Sequence, residues 1–372
     1  MGRKLLVYDR SRVTTDWDCE RRRYWNYEYG GRGIVAEGLA LELYLGQTIH
    51  DGLAGIARGV PISPISEVAH KGVYDALMSN AKGEIESDVH TFAMEQATLI
   101  KGLLLGFHKH VWPRLRDSYP EVVAIEQEMT YAHNGLVFMA RPDLVLADAE
   151  GNLWYIEYKS TSSKKDGWIN SWGTAVQLHS SIAAIRTTLG RPVAGVIVQG
   201  LYKGYESYGK QSSPFCYAYR REAAPPFVKE ETAYEYRQGF RRYPTWELPG
   251  GVSAWVDSMP PQILADQFPQ TPPIFIKEDL VERFFEQRSV REHEIDLANQ
   301  LLAMQDLEHP KAVMDTGFPQ NFSACYPSFG KPCGYRNLCH GGIETPLENG
   351  YAWREPHHDL EASLFAGAKS DA

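Results

Sequence analysis

Arg141–Ser160, "RPDLVLADAEGNLWYIEYKS", decides how this chain is read. Two apolar runs, Leu144–Leu146 and Leu153–Tyr158, flank turn-forming residues from Asp148 to Asn152, a pattern that predicts a β-hairpin. Asp143 stands at the mouth of the first strand, and Glu157 and Lys159 interrupt the second. Side chains alternate along a strand, so Glu157 and Lys159 share one face of the sheet and Tyr158 takes the other. One reading of this trio is a salt bridge between exposed strand residues. The other is chemical. Two carboxylates at the ends of adjacent strands offer oxygen ligands to one or two Mg²⁺ ions. A metal held there acidifies a bound water and offsets charge that develops on a phosphate under attack. A lysine on the glutamate's face can orient that water or help deprotonate it.

Working outward, "EVVAIEQEMTYAHNGLVFMARPD" (121–143) alternates as further strands, with a turn at His133-Asn134-Gly135,. Glu126 and Glu128 lie on the strand side of this meander and are second-tier acidic candidates. "WGTAVQLHSSIAAIRTTLG" (172–190) reads as a helix closed by Gly190, and "PVAGVIVQGLYK" (192–203) as a buried strand,. Upstream, Leu41, Tyr44, Leu45, Ile49, Leu53 and Ile56 recur at helical spacing, and a longer helical region runs from about 66 to 117, ended by Pro120,. Helices, meander, helix and strand in this order predict an α/β fold, a mixed central sheet flanked by helices. Residues 203–275, rich in Tyr, Pro, Gly and Arg, read as an elaboration on that domain. "KEDLVERFFEQRSVREHEIDLANQLLAM" (277–304) reads as a charged amphipathic helix. The tail, residues 346–372, reads as flexible.

The 372 residues are 43% hydrophobic and 23% charged, ordinary for a folded chain,. A formal net charge of −9 lends nucleic-acid binding no support and does not exclude it, because a binding channel needs only local positive charge,. Arg21-Arg22-Arg23, Lys164-Lys165, Arg220-Arg221 and Arg241-Arg242 supply such clusters, each readable also as solvated surface,. Between Lys159 and Gln177, Lys164, Lys165, Trp168 and Trp172 suit either a loop that meets phosphates and stacks on bases or simple packing. The N-terminus lacks the apolar core of a signal peptide and no run reaches membrane-span length, so a cytoplasmic protein without a membrane partner is expected. A GxxxxGK[ST] motor motif is absent from the sequence,. Five cysteines, an odd count without a secretion signal, point to free thiols or metal ligation over disulfides,. Three follow the spacing Cys325-x7-Cys333-x5-Cys339, unlike the tight pairs of zinc knuckles,.

Pro142-Asp143, thirteen residues, then Glu157-Tyr158-Lys159 resemble the motif of the PD-(D/E)xK nuclease superfamily. His50, in "GQTIHDGL", falls where RecB-type members carry a metal-ligating histidine. Gln177, in "AVQLHSS", falls where they carry Q-x-x-x-Y, although the fifth position here is Ser181. Cys19 in "DCERRRYW", with Cys325, Cys333 and Cys339, resembles the pattern of iron–sulfur nucleases of that type. The resemblance implies a restriction-endonuclease-like fold whose ends are joined by a 4Fe–4S cluster on these four cysteines. It implies a single nuclease domain over 1–345, with cluster-binding ends at 1–30 and 310–345. Its activity would be a Mg²⁺- or Mn²⁺-dependent deoxyribonuclease, an exonuclease on single-stranded DNA ends in recombination, repair or phage DNA processing. In it, His50, Asp143 and Glu157 bind metal, Lys159 positions the water and Gln177 helps hold water or DNA. A helicase is a candidate partner. The alternatives are a catalytically silent iron–sulfur DNA-binding subunit and a zinc-stapled protein of another kind.

Overall fold

The hairpin at Leu144 forms as its sequence dictates. Strands β6 (Leu144–Ala147) and β7 (Leu153–Thr161) pair antiparallel. The turn between them is tied by Asp148, whose side chain accepts from the Asn152 and Glu150 amides at 2.8 and 3.1 Å and from the Trp154 indole at 3.0 Å. Gly151, at φ 83°, supplies the left-handed residue this turn requires,. This computed structural model describes residues 7–38, 40–81, 86–161, 165–172, 175–204, 206–207, 210–211, 213–221, 240–304, 309–326, 332–341, 345–356, 358 and 361–362.

Before the hairpin come β1 (Val7–Asp9), β2 (Ile34–Ala36), β3 (Glu121–Ile125), β4 (Met129–His133) and β5 (Leu136–Ala140); after it comes β8 (Val193–Tyr202). The principal sheet has the order β3-β6-β7-β8, antiparallel except for the parallel pair β7–β8. A second sheet, β1-β5-β4, joins the N-terminal strand parallel to β5. The β4–β5 connection is Asn134-Gly135, both at positive φ (49° and 79°), as a tight primed hairpin turn demands.

Helices cover both faces of the principal sheet. Helices α1 (Arg10–Asp18) and α2 (Glu20–Arg23) lead into α3 (Leu41–Ala57), α4 (Ile62–Asn80), α5 (Glu86–Gly106) and α6 (Trp112–Ser118). Leu45, Ile49 and Leu53 of α3 and Ile100, Leu103 and Leu104 of α5 bury against Leu144, Leu146, Ile156 and Tyr158. On the other face, Leu178, Ile182 and Ile185 of α8 (Val176–Leu189) cover Val145, Tyr155, Val196 and Val198. Helix α8 follows the short α7 (Lys165–Asn170) in the crossover from β7 to β8 and ends on Gly190 at φ 62°,. This is a mixed α/β architecture consistent with a restriction-endonuclease-like fold. Among the described residues no helix is long and apolar enough to cross a membrane.

Two sequence expectations need correction. The 203–275 elaboration, in which the sequence suggests only short strand-like pieces, has Tyr217–Arg221 paired antiparallel with Phe240–Pro244 and also holds helices Gly251–Ser258 and Pro261–Gln267. Its Phe215 packs on Gly102 of α5, where a Cβ would overlap the ring. The stretch from Pro269 to Ile274 covers the outer edge of β8, with Ile274 and Val196 exchanging backbone hydrogen bonds at 2.8 and 2.9 Å,. The described residues of the tail, 346–356, 358 and 361–362, are also built into the fold. Tyr351–Trp353 pairs antiparallel with β2, and Arg354 is 2% exposed and paired with the buried Glu361. A three-residue strand whose partner lies near the other end of the chain leaves no periodicity to read.

Candidate active site

The hairpin brings its charged residues to one end of the sheet. Asp143 precedes β6, and its Oδ2 accepts from the Tyr158 amide of β7 at 2.6 Å. That bond turns the other carboxylate oxygen toward α3, where His50 Nδ1 meets Oδ1 at 3.1 Å. Burial works against a charged His50, yet the attraction of Asp143 outweighs it and the imidazole pKa is raised,. Glu126 closes the group. It follows β3, after a register shift in the β3–β6 pairing between Val122 and Ala124. Its backbone takes the left-handed conformation, φ 45°, rare for a side chain of this kind,. In that conformation its amide donates to the Asp143 carbonyl at 3.1 Å, and its Oε1 lies 3.8 Å from His50 Nδ1. Burial and the negative charge of Asp143 raise the Glu126 pKa. One ligand atom from each of His50, Glu126 and Asp143 lies within 4.8 Å of the other two. An imidazole nitrogen and two carboxylates whose charges repel one another form a donor set that suits a divalent cation.

Glu157 stands beside this group and is 1% exposed. Arg10 Nη1 donates to its Oε1 at 2.8 Å, Lys159 Nζ pairs with the same oxygen, and the Tyr155 hydroxyl donates to Oε2. Burial alone would raise its pKa, but Lys159 and Arg10 outweigh burial and hold the carboxyl down at about 2. The cleft above these groups encloses about 360 Å³ and is walled by Arg10, His50, Glu126, Asp143, Lys159, Ser181 and His358 among others.

The structure places His50, Asp143, Glu157 and Lys159 together at the end of the sheet, with Glu126, one of the two second-tier acids, beside His50 and Asp143. Gln177 is half-buried on α8 but does not line the cleft; Ser181, four residues on, does. Where the resemblance expects a tyrosine, a small hydroxyl leaves the cleft open. Arg10 is a cleft residue that sequence reasoning missed. It lies 147 positions from Glu157, and nothing local marks it among the arginines of α1.

Of the residues expected to meet DNA, Lys164 lies outside the described residues and Lys165 begins α7. Trp168 requires correction. It is 7% exposed, edge-to-face on Trp172 at 5.6 Å, and closes against Gly200 of β8. Its ring belongs to the core and has no face open to a base.

Cys19 follows α1, while Cys325, Cys333 and Cys339 lie beside short helical turns Phe322–Cys325 and Arg336–Cys339. The two chain ends meet here. The Arg21 amide donates to the Pro319 carbonyl at 3.2 Å, and the Cys333 amide to the Cys325 carbonyl at 2.9 Å. Burial raises the Cys333 thiol pKa, with Cys19 and Cys325 adding to the rise. Burial pushes Cys339 to about 11, with Cys333 and Cys19 again contributing. Cys333 and Cys339 thus resist ionisation beside neighbouring thiols, and cysteine sulfurs are ligands suited to a metal or an iron–sulfur group. Cys216 stands apart, its thiol on the Glu95 carbonyl of α5 at 3.2 Å.

The sequence matches the family model of the PD-(D/E)XK nuclease superfamily over residues 10–340. The chain belongs to that superfamily, whose members are typically nucleases that use divalent metal ions and act on DNA. No curated protein sequence matches it.

Proposed function

We propose that this protein is a Mg²⁺- or Mn²⁺-dependent deoxyribonuclease that trims single-stranded DNA ends. The observation that carries the reading is the convergence of His50, Glu126 and Asp143 beside the Lys159–Glu157–Arg10 cluster. His50, Glu126 and Asp143 hold the cation, with Glu157 as a neighbouring carboxylate. When bound, such an ion acidifies water and neutralises charge on the phosphate. Glu157 stays ionised because Lys159 and Arg10 face it. The Lys159 ammonium, charged against Glu157, would donate a hydrogen bond to the attacking water and orient it, and the proton the water loses would pass to solvent. The Arg10 guanidinium binds a non-bridging oxygen of the scissile phosphate. Gln177 of α8, one helical turn before the cleft residue Ser181, would help hold the water or the DNA. A cleft of about 360 Å³ is of a size that holds a small ligand such as one nucleotide.

Cys19, Cys325, Cys333 and Cys339 carry a 4Fe–4S cluster that staples the chain ends. It closes a very long loop and is structural. Without a motor motif of its own, the enzyme would act in recombination, repair or phage DNA processing alongside a helicase. Lysine 164 and Lys165 would contribute phosphate contacts ahead of α8.

Digestion of end-labelled single-stranded DNA tests the catalytic reading. Lys159→Ala should lower the rate by about 10²- to 10⁴-fold. Unchanged digestion by this variant would sink the assignment, and digestion by neither protein would favour the silent DNA-binding subunit. Anaerobically purified protein should show broad visible absorbance with iron and labile sulfide, and Cys333→Ala should lose them. A colourless protein with stoichiometric zinc would replace the cluster with a zinc staple.

A further inference from the structure

A second groove, of about 460 Å³, opens between α1, α8 and helix Glu278–Leu302, and Trp17 and Phe284 form its floor. Trp17 is 54% exposed, an unusual state for so large an apolar ring,. Its ring meets Phe284 edge-on at 6.2 Å, and Phe284 in turn packs against His179 at 5.5 Å. Arginines 283, 288 and 291 line the groove against only two carboxylates, Asp16 and Glu20. Those two are already neutralised: Arg288 reaches Asp16 at 2.9 Å, and Arg291 pairs with both acids. Arg283 stands at the rim with its side chain 63% exposed, 3.5 Å from the equally exposed Asp279, a solvent-screened pair that a backbone phosphate could displace,.

The groove and the catalytic cleft are neighbours along α1: Asp9, Arg10 and Met139 of the cleft and Phe284 of the groove pack around the same small interior gap. Arg10 and Trp17 are seven residues apart on α1, so they project from one face of the helix, two turns and about 10 Å apart. At the stacked spacing of about 3.4 Å per nucleotide, that separation spans about three nucleotides. An exposed aromatic ring with a cationic rim, at this distance from a phosphate-binding arginine, fits an anionic strand with free bases better than it fits an apolar peptide.

We propose that the Trp17–Phe284 groove is a second binding site for the substrate strand, taking an unpaired nucleobase on the Trp17 ring and a backbone phosphate on Arg283. This rests on the reading of the enzyme as a nuclease for single-stranded DNA. Fluorescence anisotropy of labelled oligothymidylates of about 4 and 16 nucleotides, with EDTA present to stop cleavage, tests it. For the longer strand, Trp17→Ala should weaken binding about tenfold, and Trp17→Phe should recover most of the loss. The gap between wild type and Trp17→Ala should narrow as the oligonucleotide shortens, which mere loss of folding would not produce. Equal affinity of wild type and Trp17→Ala for the longer strand would overturn the groove while leaving the nuclease reading intact. The same result accompanied by loss of self-association on a sizing column would assign the groove to a second copy of this chain. Wild type that neither binds nor, with Mn²⁺, cuts either oligonucleotide would overturn the nuclease reading and the groove with it.

Discussion

At the scale of single residues, the site depends on charges placed where each would be unfavourable alone. Glu157 is almost fully buried, and an unpaired carboxylate there would take up a proton. Lys159, Arg10 and Tyr155 keep it ionised between them. Arg10→Met removes one of these partners and the proposed phosphate contact, and initial rates of DNA digestion should fall about a hundredfold. Glu126 is held in a left-handed backbone conformation, a strain that only a positional requirement explains. Glu126→Gln should raise the Mn²⁺ concentration for half-maximal cleavage at least about tenfold, with little change in thermal stability. An unchanged metal titration would remove Glu126 from the ligand group. The trio Asp143, Glu157 and Lys159 was legible because β-alternation forces Glu157 and Lys159 onto one face. Arg10 was not, because the contact that gives it meaning spans 147 residues of the chain.

Among the elements, the hairpin β6–β7 and helices α3 and α8 could be read from the sequence, since each carries its own periodicity and its own stop. Asp148, Gly151 and Gly190 mark turns and ends by local chemistry alone. The partners of β1 and β2 were not legible: three-residue strands gain their pairing from segments far along the chain. Trp168 misled for a related reason. A lysine-rich flank suggests solvent, while the side chain points into the crossover beneath β8. Gly33 marks a junction whose requirement is purely geometric. Its φ is 81°, and an added Cβ would fall on the Asn26 carbonyl. Gly33→Ala should lower stability by about 3 kcal/mol, read as a shift in the urea midpoint. An unchanged midpoint would mean that the turn into β2 is not held as described.

For the whole molecule, buried ion pairs fasten the N-terminal helices to the C-terminal third. Arg23 pairs with Glu292 at 2.9 Å and with Glu28 at 2.7 Å, and Arg288 joins Glu292 to Asp16. Arg12 and Arg354 both hold Glu361. Arg354→Ala leaves Glu361 buried with one partner fewer, and stability should fall by about 3 kcal/mol. His358 ties the same segment to the cleft, 3.0 Å from Glu128 and 3.6 Å from Asp9, with Arg141 and Arg12 behind those carboxylates. Burial would lower its pKa, but Asp9 and Glu128 raise it above the ordinary 6.5. The protonated form is therefore the one the fold favours. Its contribution is fully present below about pH 6.5 and is lost as pH rises through the higher folded value. The difference in melting temperature between wild type and His358→Gln should be largest near pH 6 and shrink toward pH 9; a difference that grows with pH would contradict this.

The central claim is that the cluster beside β7 cleaves phosphodiesters with a divalent ion held by His50, Glu126 and Asp143. Its most direct test is digestion of end-labelled single-stranded DNA in Mn²⁺ by wild type and by Asp143→Asn, with folding of both checked by melting. Metal-dependent cleavage by wild type, abolished by EDTA and by Asp143→Asn, is the predicted result. Equal cleavage by a folded Asp143→Asn, or cleavage indifferent to EDTA, would contradict it.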